Sequence, residues 1–295
     1  MANNTVYQIV IDRILKLLET GVAPWKKAWK AANMPMNLTT KIPYRGINTW
    51  LLLSLGMPSP YWLTWNQTMK LKGRVKQEEA KNFQIVIFWK QLKIADKTAK
   101  GEDNEKTIPL LRYYKVYNLS QVELPADVMK RLVPAVEPVQ INKIEECENI
   151  VSNYKDCPEI KFGGDRAFYA NLFDRIQMPL HEDFETDEEY YSTLFHEMGH
   201  STGSPKRLDR FKATDSHLFG ADTYSKEELI AEMAASFLCA EAGIGNETIE
   251  NSAAYIQGWM KAIKNGDKNF VISAASRAQK AADYILQRNQ KTQEN

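Results

Sequence analysis

The sequence is short of the residues that mark several common kinds of protein. Only three cysteines, Cys147, Cys157 and Cys239, occur among 295 residues. That is too few for a disulfide scaffold, so incidental thiols in a reducing compartment are expected. No run of about 18 apolar residues is present, which argues against a helical membrane span and a membrane partner. The opening stretch MANNTVYQIVIDRILKLLETG is amphipathic and has no basic flank, apolar block or small-residue cleavage site. No secretory leader is therefore expected, and the expected location is cytoplasmic. Histidine is scarce, at four residues, and the net charge is only +1. Apolar residues at 44% and charged residues at 25% suit a soluble chain with sizeable cores. The length favours two domains of ordinary size over one large one.

The small net charge conceals a division. Residues 1–120 carry 19 Lys and Arg against 8 Asp and Glu, whereas residues 121–295 carry 19 against 29. Six of the seven tryptophans lie in the first 90 residues. Halves of opposite charge imply different partners, one of them polyanionic.

Between the halves runs SQVELPADVMKRLVPAVEPVQ, with Pro125, Pro134 and Pro138. Prolines at that density oppose long helices, which places a boundary near residue 130 and predicts domains at 1–130 and 131–295. The spacing of apolar residues predicts a helix over 6–18, ended by Gly21 and Pro24. Segments 82–94 and 109–119 are rich in β-branched and aromatic residues and predict paired strands, with the polar run 96–107 as the tip of a long hairpin. In the second half, Ile141, Ile144 and Val151 mark a helix, and 166–180 reads as strand or hairpin. Helices are predicted at 187–201, 225–242 and 248–264, followed by an Ala-rich one at about 270–288. The fold class expected is α+β.

The sharpest motif is Phe195-His196-Glu197-Met198-Gly199-His200. Residues four apart share one helix face, so His196 and His200 converge on one ion. Neutral imidazole is a good zinc ligand, and Glu197 between them suits a general base acting on water. Two satisfied surface histidines are the plainer alternative. Acidic residues at the start of DEEYYSTLFHEMGH, its apolar stripe and the stop at Gly203-Ser204-Pro205 favour a metal helix. A catalytic site usually has a third protein ligand. His181 and His217 have no spacing that recommends them. In YSKEELIAEMAASFLCAEAG, Glu228 and Glu232 share a face. Glu228 is favoured as ligand and Glu232 as the carboxylate orienting a ligand histidine, the reverse remaining open. A solvated face formed by both with Glu227 is the alternative. The segment around Arg166–Asn171 could offer an edge to an extended peptide, and Tyr224 or Tyr169 could supply an oxyanion donor. Zinc is the ion such donors favour, with manganese and cobalt left open.

In the first half, lysines and arginines interleave with Trp25, Trp29, Tyr44, Trp50, Tyr61, Trp62 and Trp65. Cations that neutralise phosphates, beside rings that stack on unpaired bases, are what single-strand binders combine. A tryptophan core under an ordinary basic surface is the alternative. Trp50, followed by LLLSLG, is the expected core member, and Trp25 and Trp29 the expected exposed pair.

With both halves read, the chain resembles the ArdC family of antirestriction proteins of plasmids and other mobile elements. The resemblance rests on GVAPWKKAW, NLTTKIPYRGINTWLL and YWLTWNQTMKLKGRVK in the first half. In the second it rests on FYANLFDRIQMPL, TLFHEMGHSTGSPKRLDR and YSKEELIAEMAASFLCAEAGI. It implies an N-terminal domain that binds single-stranded DNA and a C-terminal zincin-like metallopeptidase domain of the gluzincin kind. It further implies metal ligands at His196, His200 and a glutamate of EELIAE, and a catalytic Glu197. The implied role is to guard entering DNA, with a protein substrate such as a restriction enzyme in view. Together with the basic, aromatic pattern it directs the DNA contact to Trp25, Lys26, Lys27, Trp29, Tyr44, Arg45, Asn48, Trp65, Lys72 and Arg74. After Gly73, RVKQEEAKN departs from the glycine-rich basic stretch of the family. Two other classes compete: a regulatory metalloprotease whose basic half recruits a protein, and a non-catalytic DNA-binding protein braced by zinc.

Overall fold

The structure, a computed structural model, describes residues 2–19, 34–97, 103–133, 142–211, 222–245 and 270–288. Helix α1, Ala2–Leu18, forms because Val6, Val10, Ile11 and Ile14 make one apolar stripe, and all four are buried. A four-stranded sheet follows, made of β1 (Met36–Asn37), β2 (Tyr61–Thr64), β4 (Gln84–Lys97) and β5 (Asp103–Asn118), in the order β1-β2-β5-β4. Helices α2 (Ile47–Leu53) and α3 (Trp65–Lys70) lie between the strands in sequence, and β3 (Arg74–Val75) pairs with β6 (Val122–Glu123) ahead of α4 (Ala126–Leu132).

The expected hairpin is present, but its tip is shorter than the sequence indicates. Pairing runs from Gln84↔Val116 to Lys97↔Asp103 and takes in most of the polar run. Backbone pairing needs no apolar side chains once the register is set, so composition misplaces where a ladder stops. Alternation sends Ile85, Ile87 and Leu111 into the main core and Val86 and Val116 into a second cluster with Tyr44, Leu52 and Trp62. Trp50 is 1% exposed, the core member expected.

The second half builds α5 (Lys143–Asn153) and a three-stranded sheet of β7 (Glu159–Phe162), β8 (Phe168–Ala170) and β9 (Arg175–Met178), in the order β7-β9-β8. Three helices follow among the described residues: α6 (Asp187–Ser201), α7 (Asp222–Ala242) and α8 (Phe270–Ile285). Thr186 caps α6 by accepting from the Glu189 amide at 3.1 Å, and Asp187, Glu188 and Glu189 fill its first turn, where the helix dipole favours acids. Along α8, Ala274, Ala275, Ala278, Ala281 and Ala282 are fully buried, small enough for close helix packing. The helix predicted at 248–264 lies outside the described residues. No helix among the described residues is long and apolar enough to cross a membrane.

One apolar cluster gathers Val10, Ile14, Ile47 and Trp50 from the first half with Phe195, Phe237 and Ala278 from the second. Strand β4 is an outer strand, yet its free edge is partly closed. The Asn48 amide donates to the Ile87 carbonyl at 2.7 Å and accepts from the Ile87 amide at 2.8 Å. It does for Ile87 what a neighbouring strand would do. Replacing Asn48 with Ala leaves both buried backbone groups unpaired and is expected to cost about 2–4 kcal/mol. A urea midpoint equal to that of the unmodified protein would refute this.

Candidate metal centre

Helix α6 supplies two imidazoles one turn apart, and His196 Nε2 lies 3.0 Å from His200 Nε2. Helix α7 brings Glu228 against both: its carboxylate oxygens are 3.5 Å from His196 Nε2 and 3.3 Å from His200 Nε2. The three ligand atoms all lie within 4.8 Å of one another, with each side chain 13% exposed. Glu197, on the same helix, is 6% exposed.

The approach of the two helices depends on Gly199. A Cβ there would stand 3.3 Å from both Cα and O of Ala231 and 3.4 Å from Cβ of Ala234. The Leu229, Ile230, Met233 and Phe237 side chains of α7 are buried, which fixes the helix's rotation and turns Glu228 toward the histidines.

Of the two carboxylates that the sequence leaves open, Glu228 is the one with oxygens within 3.5 Å of both Nε2 atoms. Glu232, one turn further along and 2% exposed, is among the charges that raise the His196 pKa. Glu227 is not a solvated residue. It accepts from Arg210 Nε at 3.1 Å and Nη2 at 2.6 Å, and its Oε1 stands 3.8 Å from His200 Nδ1. Arg210 also donates to the Gly199 carbonyl at 2.9 Å and to Thr202 Oγ1 at 2.7 Å, tying the end of α6 to α7. Sequence reasoning missed this pair. Its only trace there is the doubled glutamate before Leu229, whose partner lies 17 residues away.

Electrostatics follow from the crowding. Burial alone would push the His200 imidazole down, but the carboxylates of Glu228 and Glu227 hold it well above the ordinary histidine value. His196 is raised in the same way, against burial, by Glu228. Burial works to raise the Glu228 pKa, yet the two imidazoles keep it far below the usual carboxylate range. Two imidazoles and a carboxylate converging on one point fit a divalent transition-metal ion.

Strand β8 is the outer strand of its sheet, as the peptide-edge reading requires, and packs against α6. The oxyanion reading of Tyr169 needs correction. Its hydroxyl donates to Asp174 Oδ1 at 2.7 Å and accepts from Arg207 Nη2 at 3.1 Å, so its proton is already committed. The side chain of Tyr224 is not among those described. His181 sits apart from the centre, stacked on Tyr190 and paired with Asp187 at 2.9 Å. His217 lies outside the described residues.

The residues expected to contact DNA are dispersed. Trp25, Lys26, Lys27 and Trp29 lie outside the described residues. Tyr44 and Asn48 are buried, Asn48 in the clamp on Ile87, so neither presents a face to a strand. Arg45 forms an ion pair with the buried Asp283 of α8, and the Gly46 amide donates to Gln279 Oε1 at 2.8 Å. That segment therefore joins the halves, a role that charge and aromatic content did not reveal. Trp65 is 46% exposed, Lys72 is exposed, and Arg74 is exposed but paired with Glu123 at 2.6 Å.

A family model described as a zincin-like metallopeptidase matches residues 145–277, and one described as the N-terminal domain of anti-restriction factor ArdC matches residues 4–117. Fold and site together define an α+β protein in which an ArdC-type N-terminal domain precedes a zincin-like domain. The crystal structure of the antirestriction ArdC protein from the R388 plasmid, metal-free, matches with a TM-score of 0.74 and 32% identity, over 95% of this chain and 96% of that one. Its Mn(II)-bound structure matches at 0.71 and 33%, over 97% and 99%. The chain belongs to the ArdC family of antirestriction proteins. A DNA primase TraC of Escherichia coli is 34% identical over 97% of the chain, which spans only 20% of the primase's length.

Around the centre, Arg207 ties the sheet to α6. It donates to the Ser201 carbonyl at 2.7 Å and forms an ion pair with Asp174 in the β8–β9 turn. Burial works to raise the Asp174 pKa, but hydrogen bonds from Arg207, Tyr169 and Lys206 outweigh it and bring it down to about 2. A carboxyl depressed in the folded state adds stability above its unfolded value, lost as pH falls through the folded one. Asp174→Asn, which keeps the left-handed turn, is expected to cost on the order of 2 kcal/mol at neutral pH. The gap from the unmodified protein should close as pH falls from about 4 to about 2. Denaturant titrations across that range decide it, and a gap independent of pH would refute the assignment.

Proposed function

We propose that the chain is a cytoplasmic antirestriction protein of a mobile element. In this reading residues 1–130 bind single-stranded DNA, and residues 131–295 carry a zinc peptidase site with His196, His200 and Glu228 as ligands. The convergence of those three side chains within 4.8 Å carries the reading. The basic first half supports the DNA part, as does the match of its residues to the ArdC N-terminal domain. That a DNA primase contains a similar stretch also favours a nucleic-acid role. Zinc suits the donor set, and the Mn(II)-bound relative makes manganese the competing ion.

When bound, the ion would supply Lewis-acid polarisation of a peptide carbonyl and acidify the attacking water. Glu197 takes the proton of that water and passes it to the leaving amine. Its burial keeps the carboxylate in place and away from competing solvent. Glu227, held by Arg210, fixes the ring of His200 from its Nδ1 side, and the charge of the buried Glu232 acts on His196. Strand β8 offers its free edge to an extended substrate, and a restriction enzyme is the substrate the family role suggests.

Glu197→Gln separates this reading from a metal that only braces the fold. The variant should keep the metal, the fold and DNA affinity, while proteolysis and protection of entering DNA fall by about a hundredfold or more. Metal content, oligonucleotide binding and transfer into a restricting host are the measurements. Protection that survives in the variant would overturn the enzymatic reading.

A further inference from the structure

We infer that Phe88, Arg112 and Tyr114, on one face of the β4–β5 hairpin, form the platform on which unpaired DNA bases stack. The inference rests on the reading above that the first half binds single-stranded DNA, and it names the surface.

In the ladder Phe88 stands directly opposite Arg112, and Tyr114 opposite Val86. Side chains directly opposite share a face, and so do those two residues apart, which puts all three side by side. The Phe88 and Tyr114 rings are 5.8 Å apart, edge to face, and Phe88 is 6.4 Å from the buried ring of Tyr44. A row of rings thus emerges from the interior into solvent. Phe88 is 46% exposed, Tyr114 is 43% exposed, and Arg112 is exposed. Val86 and Val116 beside them on this face are buried, so the exposed rings stand on a packed floor. Two large rings left in water on a packed sheet are a surface prepared for a partner.

The chemistry of the face selects that partner. From Gln84 to Phe88 and from Arg112 to Val116, this face carries Gln84, Val86, Phe88, Arg112, Tyr114 and Val116, with no carboxylate among them. An apolar protein partner needs no arginine between the rings. A polyanion needs the arginine but not the rings. An unpaired strand uses both, bases on the aromatic faces and phosphate on the guanidinium. A duplex keeps its bases stacked on one another and offers nothing to the rings. Tyr113 is also exposed, but it pairs with Ile87 and points to the opposite face.

The test uses the full chain and fluorescence anisotropy with a labelled oligothymidine and a labelled duplex, over a series of salt concentrations. Phe88→Ala and Tyr114→Ala are each expected to weaken single-strand binding about tenfold with the salt dependence unchanged. Arg112→Ala should reduce the salt slope by about 0.7. Tyr113→Ala should match the unmodified protein. Thermal melts confirm that each variant is folded. In a separate measurement, Phe88→Trp should show a larger loss of emission on adding the oligothymidine than the unmodified protein with its seven tryptophans. If the unmodified protein binds the single strand and the Phe88 and Tyr114 variants bind as well, the platform is wrong while the DNA reading stands. If the unmodified protein does not bind, both fail. A Phe88→Trp change in emission no larger than that of the unmodified protein also overturns the platform.

Discussion

The close packing of α6 on α7 is the constraint on which the site depends. Neither helix holds the triad alone: α6 has two imidazoles, α7 a carboxylate, and only contact at Gly199 brings the three together. Two buried surfaces enforce the contact. Phe195 and Met198 on one helix and Met233 and Phe237 on the other are buried in one cluster. Arg210 then links the pair across its edge, bonded to Gly199 and Thr202 on one side and to Glu227 on the other. Apolar burial sets the distance between the helices, and charge-assisted hydrogen bonds set the register. The same contact crowds the carboxylates against the imidazoles, and this crowding displaces the pKa values of both.

Much of this was legible in the sequence, for a physical reason. His196 and His200 lie four residues apart on one helix, so helical periodicity alone predicts that their imidazoles share a face. The amphipathic helices and the long hairpin announce themselves through periods of 3.6 and 2. Glu227 and Arg210 do not, because their meeting is tertiary and no spacing encodes it. The strands β1, β3 and β6 are only two residues long, too short for any alternation to register. The polar run 96–107 reads as loop since composition reports burial, whereas the ladder through its paired residues is held by backbone groups.

The segment Tyr44-Arg45-Gly46-Ile47-Asn48 shows the limit of reading charge and aromaticity as function. In sequence it is a basic, aromatic motif and suits nucleic acid. In the fold, Tyr44 is packed, Asn48 closes the edge of β4, and Arg45 reaches the buried Asp283. Gly46 has φ +55, and its amide donates to Gln279 in α8. A side chain at Gly46 would be strained in that conformation, so the turn that aims Arg45 at α8 requires glycine.

That joint bears on how the two halves relate. The sign of the charge changes near residue 120, yet the packing does not break there. Ile47 and Trp50 of α2 share a cluster with Ala274 and Ala278 of α8, and α8 packs in turn against α7, which carries Glu228. Separating the halves would expose Trp50 and strip the buried Asp283 of its cationic partner Arg45, both costly. Strand β4, which carries Phe88, is clamped by Asn48 from the same short helix. Helix α2 is thus the element through which the hairpin face and the metal helix are held in a fixed relation. An unpaired strand stacked there, as proposed, would meet a surface anchored to the core that positions His196, His200 and Glu228.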